Sequence, residues 1–142
     1  MTIAAILNVK GQEVTYIAPS ALMREAAALL TQHRIGCVPV IEDGRVIGIL
    51  SERDVVRSIG EGGAEALDRP VGEWMTSPAV TVSPDVAVIT ALSLMTRRRI
   101  RHLPVIEQEQ MTGFVSIGDL VKYRIDRIEA DAAAMRDYIQ GA

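Results

Sequence analysis

Gly48-Ile49-Leu50-Ser51-Glu52-Arg53-Asp54 and Gly113-Phe114-Val115-Ser116-Ile117-Gly118-Asp119 share the pattern Gly-x-x-Ser-x-x-Asp and lie 65 positions apart. The same offset aligns their surroundings without a gap. Upstream, Pro39-Val40-Ile41-Glu42 falls on Pro104-Val105-Ile106-Glu107, and Arg34-Ile35 falls on Arg99-Ile100. Further back, Pro19, Ala26 and Leu29 fall on Pro84, Ala91 and Leu94. About fourteen of some 45 aligned positions are identical, which marks an internal duplication.

Each copy predicts the same order of elements. A short extended segment comes first, Val14 to Ala18 or Val80 to Ser83, ended by Pro19 or Pro84. A helix follows, with Leu22, Ala26, Leu29 and Leu30 on one face, matched by Ala87, Ala91, Leu94 and Met95. Ser20 and Asp85 stand where its caps are expected. Two β-rich runs come next, Cys37–Ile41 with Val46–Leu50 and His102–Ile106 with Met111–Val115. Asp43-Gly44 signals a tight hairpin in the first copy, whereas Gln108-Glu109, lacking glycine, predicts a looser turn in the second. A closing helix begins near Asp54 or Asp119. The first is expected to stop at Gly60 and the second to run to about Gln140. The expected organisation is a first repeat with its N-terminal segment over 1–62, a connection over 63–78, a second repeat over 79–126 and a helical extension over 127–142. Glycines and prolines, with a short helix near Ala64–Leu67, mark the connection, and Trp74 is expected to anchor it. A β-α-β-β-α unit of this size cannot cover its own apolar sheet face, so the fold class is α/β (α+β), with two repeats packed sheet to sheet about a pseudo-twofold axis. Such packing leaves clefts between the copies.

Composition narrows the function. The 142 residues are 49% hydrophobic but only 4% aromatic, so the core is aliphatic. The net charge of −3 and the lack of an aromatic platform argue against nucleic acid, despite Arg97-Arg98-Arg99-Ile100-Arg101-His102. No run approaches the roughly 18 apolar residues of a membrane helix. The run Ile3–Leu7 is too short for a signal core and is expected to pack on the fold. One cysteine, Cys37, fits a reducing cytoplasm and reads as a small buried hydrophobe. His33 reads as a surface residue. Two histidines and one cysteine supply no metal-spacing motif, and no acid–base pair or activated nucleophile is visible, so no enzyme is expected.

The paired Gly-x-x-Ser-x-x-Asp segments, each behind a Pro-Val-Ile strand, resemble the cystathionine-β-synthase (CBS) domain, and the tandem resembles a Bateman module of the small stand-alone bacterial type. The carriers are Ile35–Ile41 with Gly48–Asp54, Ile100–Ile106 with Gly113–Asp119, and Met75-Thr76 ahead of Thr81-Val82. The resemblance implies an adenosyl ligand (AMP, ADP or ATP, with NAD possible), a homodimer, and regulation of a partner protein. The long C-terminal helix is the expected dimer or output surface.

The motif residues suit such a ligand. Glycine lets backbone approach closely, and the serine hydroxyl both donates and accepts. The aspartate, one helical turn on, either caps its helix or accepts both hydroxyls of a ribose diol, as acids do in dinucleotide folds. Ser51, Asp54, Ser116 and Asp119 are thus the ribose candidates. A carboxylate repels phosphate, so cations belong at the ligand's other end. Arg101 and His102 are the candidates, with Arg53 compensating where Gly36-Cys37 replace them in the first copy. The two clefts are therefore expected to differ. Adenine is expected between aliphatic groups: Thr15, Tyr16, Val38 and Pro39 in one copy, Thr81, Val82, Leu103 and Pro104 in the other. The alternative is an assembly module that dimerises without any small molecule.

Overall fold

A computed structural model describes residues 1–11 and 13–141. Its elements run α1 (Ile3–Lys10), α2 (Met23–His33), β1 (Cys37–Glu42), β2 (Arg45–Ser51), α3 (Glu52–Gly62), a 3₁₀ turn (Ala64–Asp68), α4 (Val71–Trp74), α5 (Val88–Arg98), β3 (His102–Glu107), β4 (Gln110–Ser116) and α6 (Ile117–Gly141). This is the mixed α/β duplication expected, with a long last helix. β1 pairs antiparallel with β2, and β3 with β4, in matching registers with a bulge after Val40 and after Val105. The predicted extended segments shrink to single parallel bridges, Ile17 to Val40 and Val82 to Val105.

Both hairpins are tight. Asp43 and Gly44 have φ of 52° and 78°, and Gln108 and Glu109 have 51° and 65°. The second turn is therefore not looser, as expected, but the same two-residue turn with both central residues left-handed. The register Glu107 to Gln110, held by the strands, imposes that backbone on residues that do not favour it. The closing helix α3 passes Gly60 and ends at Gly62.

The largest departure is at the repeat boundaries. Ile3, Ile6 and Leu7 of α1, expected with the first copy, pack in the core of the second with Val88, Ala91, Met95, Leu103, Val105, Val115 and Leu120. In return Val71 of α4 packs in the first core with Met23, Ala26, Leu30, Val38, Val40 and Leu50, and Trp74 and Met75 lie against it. The hydrogen bonds repeat this exchange. Val71 and Gly72 N–H donate to the Ala21 and Pro19 carbonyls, and Ile3 and Ala4 N–H donate to those of Val86 and Pro84. Each copy's lead-in helix thus sits on the other copy.

This exchange also explains the caps. Ser20 and Asp85 do not cap; Leu22 and Ala87 hold the cap positions. The first free amides of these helices, Met23 and Val88 N–H, donate to the Arg69 and Met1 carbonyls of the exchanged segments. Backbone supplied from elsewhere in the chain does what a capping side chain would do.

Candidate functional site

The two motif aspartates lie at the N-terminal turns of α3 and α6, directly after β2 and β4. In both, the motif closes on itself. Asp54 Oδ2 accepts from Ser51 N–H at 2.9 Å and from Ser51 Oγ at 3.1 Å, and Asp54 N–H donates to Ser51 Oγ at 3.3 Å. Asp119 Oδ2 accepts from Ser116 N–H at 2.8 Å, and Asp119 N–H donates to Ser116 Oγ at 3.1 Å. The helix-cap role is therefore real in both copies.

Beyond the caps the copies differ. Asp54 Oδ1 has two long contacts, from Thr76 Oγ1 at 3.3 Å and Arg57 Nη2 at 3.4 Å. Both exceed the usual 2.7–3.2 Å range, so this oxygen keeps acceptor capacity. Thr76 is fixed by reciprocal backbone bonds with Ile49, both 2.9 Å. Arg57 is fixed by the Trp74 carbonyl at 2.9 Å and lies 5.4 Å from the Trp74 ring centre. In the second copy Lys10, from the exchanged α1, reaches across. Its Nζ donates to Asp119 Oδ2 and to the Phe114 carbonyl, each at 2.6 Å. Burial raises the Asp119 carboxyl, but the Lys10 and Ser116 bonds outweigh it and hold the pKa below its ordinary value.

A cavity of about 360 Å³ lies between the copies, inside the size range of small-molecule sites. Gly36, Cys37, Ser51, Glu52, Arg53 and Asp54 line it from the first copy, and Arg99, Ile100, Arg101 and His102 from the second. Ile49, Thr76, Pro78, Ala79 and Val80 complete the wall. The cavity therefore unites Asp54 with Arg101 and His102, which were expected in the other cleft. The pseudo-twofold packing brings the two strand entries together, Gly36-Cys37 opposite Arg101-His102. Ser116 and Asp119 are not among its lining residues.

The first copy contributes Glu52, Arg53 and Asp54 to the cavity wall, and the second contributes Arg99 and Arg101. His102 differs from its expected cationic role: burial lowers its pKa, and neighbouring Lys10 and Arg101 lower it further against the pull of Asp119 and Glu52. It stacks on Phe114 at 5.6 Å and is mainly a neutral imidazole near pH 7. Cys37 is buried, and its thiol is pushed up to about 12 by that burial and by Asp54 and Glu52, so it is no nucleophile.

None of the eight expected adenine residues lines the cavity. Val38 and Leu103 are fully buried in the cores, Pro39 and Pro104 are buried beside them, and Val82 is nearly enclosed. Tyr16 is 59% exposed in a separate groove beside both hairpin turns, and Thr15 and Thr81 also lie outside the site. Val38 and Leu103 belong to the two cores, whereas the cavity is walled by the strand entries and the 76–80 segment. Sequence reasoning missed Thr76, Pro78, Ala79, Val80, Arg99 and Ile100; the Met75-Thr76 motif was the available signal. The motif glycines are also displaced in role. A Cβ on Gly48 would meet Met75 Sδ and the Thr76 carbonyl at 2.8 Å, and one on Gly113 would meet Leu7 Cδ2 at 2.5 Å. They admit the exchanged segments, not a ligand.

Comparison with known proteins agrees with this architecture. The CBS domain model matches residues 8–61 and 71–126. The mitochondrial CBS domain-containing protein CBSX3 of Arabidopsis thaliana is 34% identical, over 99% of this chain and 72% of that protein. A crystal structure of a CBS-domain containing protein from Agrobacterium tumefaciens superposes with a TM-score of 0.83 at 37% identity, covering 87% of this chain and 92% of that one. The CBS domain pair of protein MJ0100, crystallised with 5′-methylthioadenosine and S-adenosyl-L-methionine, shares the fold at a TM-score of 0.79 and 20% identity, over 89% and 98% of the two chains.

Proposed function

The chain belongs to the CBS-domain family and carries the domain twice, and from that premise we propose that it is a regulatory module binding an adenine nucleotide in the cavity between its repeats. The observation that carries this reading is that one cavity is lined by Asp54 together with Arg53, Arg99, Arg101 and His102. The Asp54 carboxylate on one copy and the Arg99 and Arg101 guanidinium groups on the other match the ribose and phosphate of AMP, ADP or ATP, with NAD a further candidate. Asp54 Oδ2 caps α3 while the loosely held Oδ1 takes a ribose hydroxyl. Ile49, Pro78, Ala79, Val80 and Ile100 provide the apolar slot for the base. The fold-mate MJ0100, which binds adenosine compounds, supports the ligand class.

The second motif, with Lys10 paired to Asp119, does not line this cavity, so the reading is one nucleotide per chain. The ligand touches both repeats and biases their relative angle only by its differential affinity for the two arrangements. A homodimer passes that bias to a regulated protein. Isothermal titration calorimetry with AMP, ADP, ATP and NAD tests this: saturable binding at one site is expected. Asp54→Asn, which keeps the cap acceptor but loses the charge, should weaken binding about 5- to 30-fold, the difference between charge-assisted and neutral hydrogen bonds of roughly 1–2 kcal/mol. Equal affinity of variant and wild type refutes the ribose role.

A further inference from the structure

The last helix leaves the fold and continues alone. Leu120 is fully buried, and Tyr123 packs on the second core. From residue 124 to 141 every residue except Ala133 is exposed. Yet this free stretch is patterned. Val121, Ile125, Ile128, Ala132, Met135 and Ile139 follow a 4-3-4-3-4 spacing, the a/d repeat of a coiled coil. Exposure of the large members rises along the helix from 41% at Val121 to 67% at Ile139. At about 100° per residue, the stripe occupies a sector of about 80°, turned about 130° from the face holding Leu120 and Tyr123. The helix therefore has two apolar faces, one spent on its own domain and one uncovered.

The charges beside the stripe select its occupant. Arg124 and Asp131 fall at g positions, and Glu129 and Arg136 at e positions. In a parallel, in-register pair, each g residue meets the e residue five positions on in the other helix. Arg124 then faces Glu129 of the second copy, and Asp131 faces Arg136, so all four contacts are complementary. An antiparallel pair centred on the same stripe would set Lys122 against Arg136 and Glu129 against Glu129. We infer that α6 pairs with α6 of a second copy as a parallel two-stranded coiled coil over about residues 121–139. This rests on the homodimer proposed above and specifies its surface and direction. Both CBS repeat pairs then lie at the same end of the dimer, on opposite sides of its twofold axis, with the paired helices as the shared stem.

Analytical ultracentrifugation of the full chain is the test. The wild type should sediment at twice the 15.4 kDa chain mass. Ile125→Glu with Ile128→Glu should raise the dimer dissociation constant at least about 100-fold, because it desolvates like charges in the seam. Both residues lie outside the folded core, so circular dichroism and nucleotide affinity should be retained. Met135→Cys should form an interchain disulfide on mild oxidation, since only the parallel register puts residue 135 beside its copy. Arg124→Glu with Arg136→Asp, and Glu129→Arg with Asp131→Arg, should each be monomeric alone and dimeric when mixed. A monomeric wild type overturns the dimer altogether. A dimer indifferent to the glutamates, or one in which Met135→Cys fails to cross-link, overturns the coiled coil or its direction while leaving nucleotide binding untouched.

Discussion

Replacing Gly48 by alanine probes how the exchanged segment builds the site. The new Cβ would lie 2.8 Å from the Thr76 carbonyl oxygen and from Met75 Sδ. Carbon–oxygen contacts that close are not tolerated, and the Thr76 backbone cannot rotate away as a side-chain tip can. The segment must retreat from β2, which endangers both 2.9 Å bonds between Ile49 and Thr76. Overpacking of this kind costs about 1–3 kcal/mol, and each weakened backbone bond adds about 0.5–1.5 kcal/mol. A total of about 2–6 kcal/mol should lower Tm by about 6–24 °C for a chain of this length. Gly113→Ala makes a shorter contact, 2.5 Å, but with the end of the Leu7 side chain. It should cost less, about 1–2 kcal/mol, since Leu7 is free to change rotamer at the expense of some packing. Urea unfolding of the two variants decides the matter. A Gly48→Ala chain within about 0.5 kcal/mol of wild type, or one more stable than Gly113→Ala, would refute the claim that Thr76 is held against β2 by the missing side chain. Because Thr76 also contacts Asp54, Gly48→Ala should weaken nucleotide binding, whereas Gly113→Ala should not.

Lys10→Ala should cost only about 0.5–1 kcal/mol in urea unfolding, as expected of a partly exposed ion pair. The native Asp119 pKa lies below its ordinary value, so its stabilisation is complete above about pH 4 and lost as pH falls through the folded value; in Lys10→Ala acid unfolding should begin at higher pH. His102 works in the same direction for the opposite reason: its folded pKa lies below 6.5, so the unfolded chain takes up the proton first and stability declines as pH drops from about 6.5 through the folded value. A bound phosphate should raise that pKa, so ATP binding should take up protons and tighten between pH 7 and 6, an effect that adenosine lacks and His102→Asn abolishes; calorimetry in buffers of different ionisation enthalpy reads it. Arg101→Ala should weaken AMP and ATP about 10-fold but spare adenosine, and an equal loss for all three would place the arginine elsewhere.

The duplication was legible because its anchors are local: a Pro-Val-Ile strand, a turn and a capped helix keep one spacing in both copies. The exchange of lead-in helices was not. Ile3 and Val71 play equivalent parts, but three additional residues separate α1 from the first bridging strand, so the 65-residue offset passes over them. That exchange places Thr76 on Asp54 and Lys10 on Asp119, and so gives the two motifs different neighbours. The Ser51, Asp54, Arg53, Arg101 and His102 candidates do meet in the cavity, but their assignment to one cleft depended on packing between copies, which no periodicity encodes. The adenine candidates failed for a simpler reason. Aliphatic residues beside a Pro-Val-Ile strand serve the core first, and Val38 and Leu103 are fully enclosed there. Gln108-Glu109 shows the opposite limit, a turn set by strand register against local preference.

A crystal structure of the chain grown with saturating ATP or AMP tests the central claim most directly. The adenosine should lie between the repeats, with a ribose hydroxyl on Asp54 Oδ1, the base against Val80 and Ile100, and the phosphates toward Arg53, Arg99 and Arg101. An empty cavity at saturation, or a nucleotide bound away from Asp54, would contradict it.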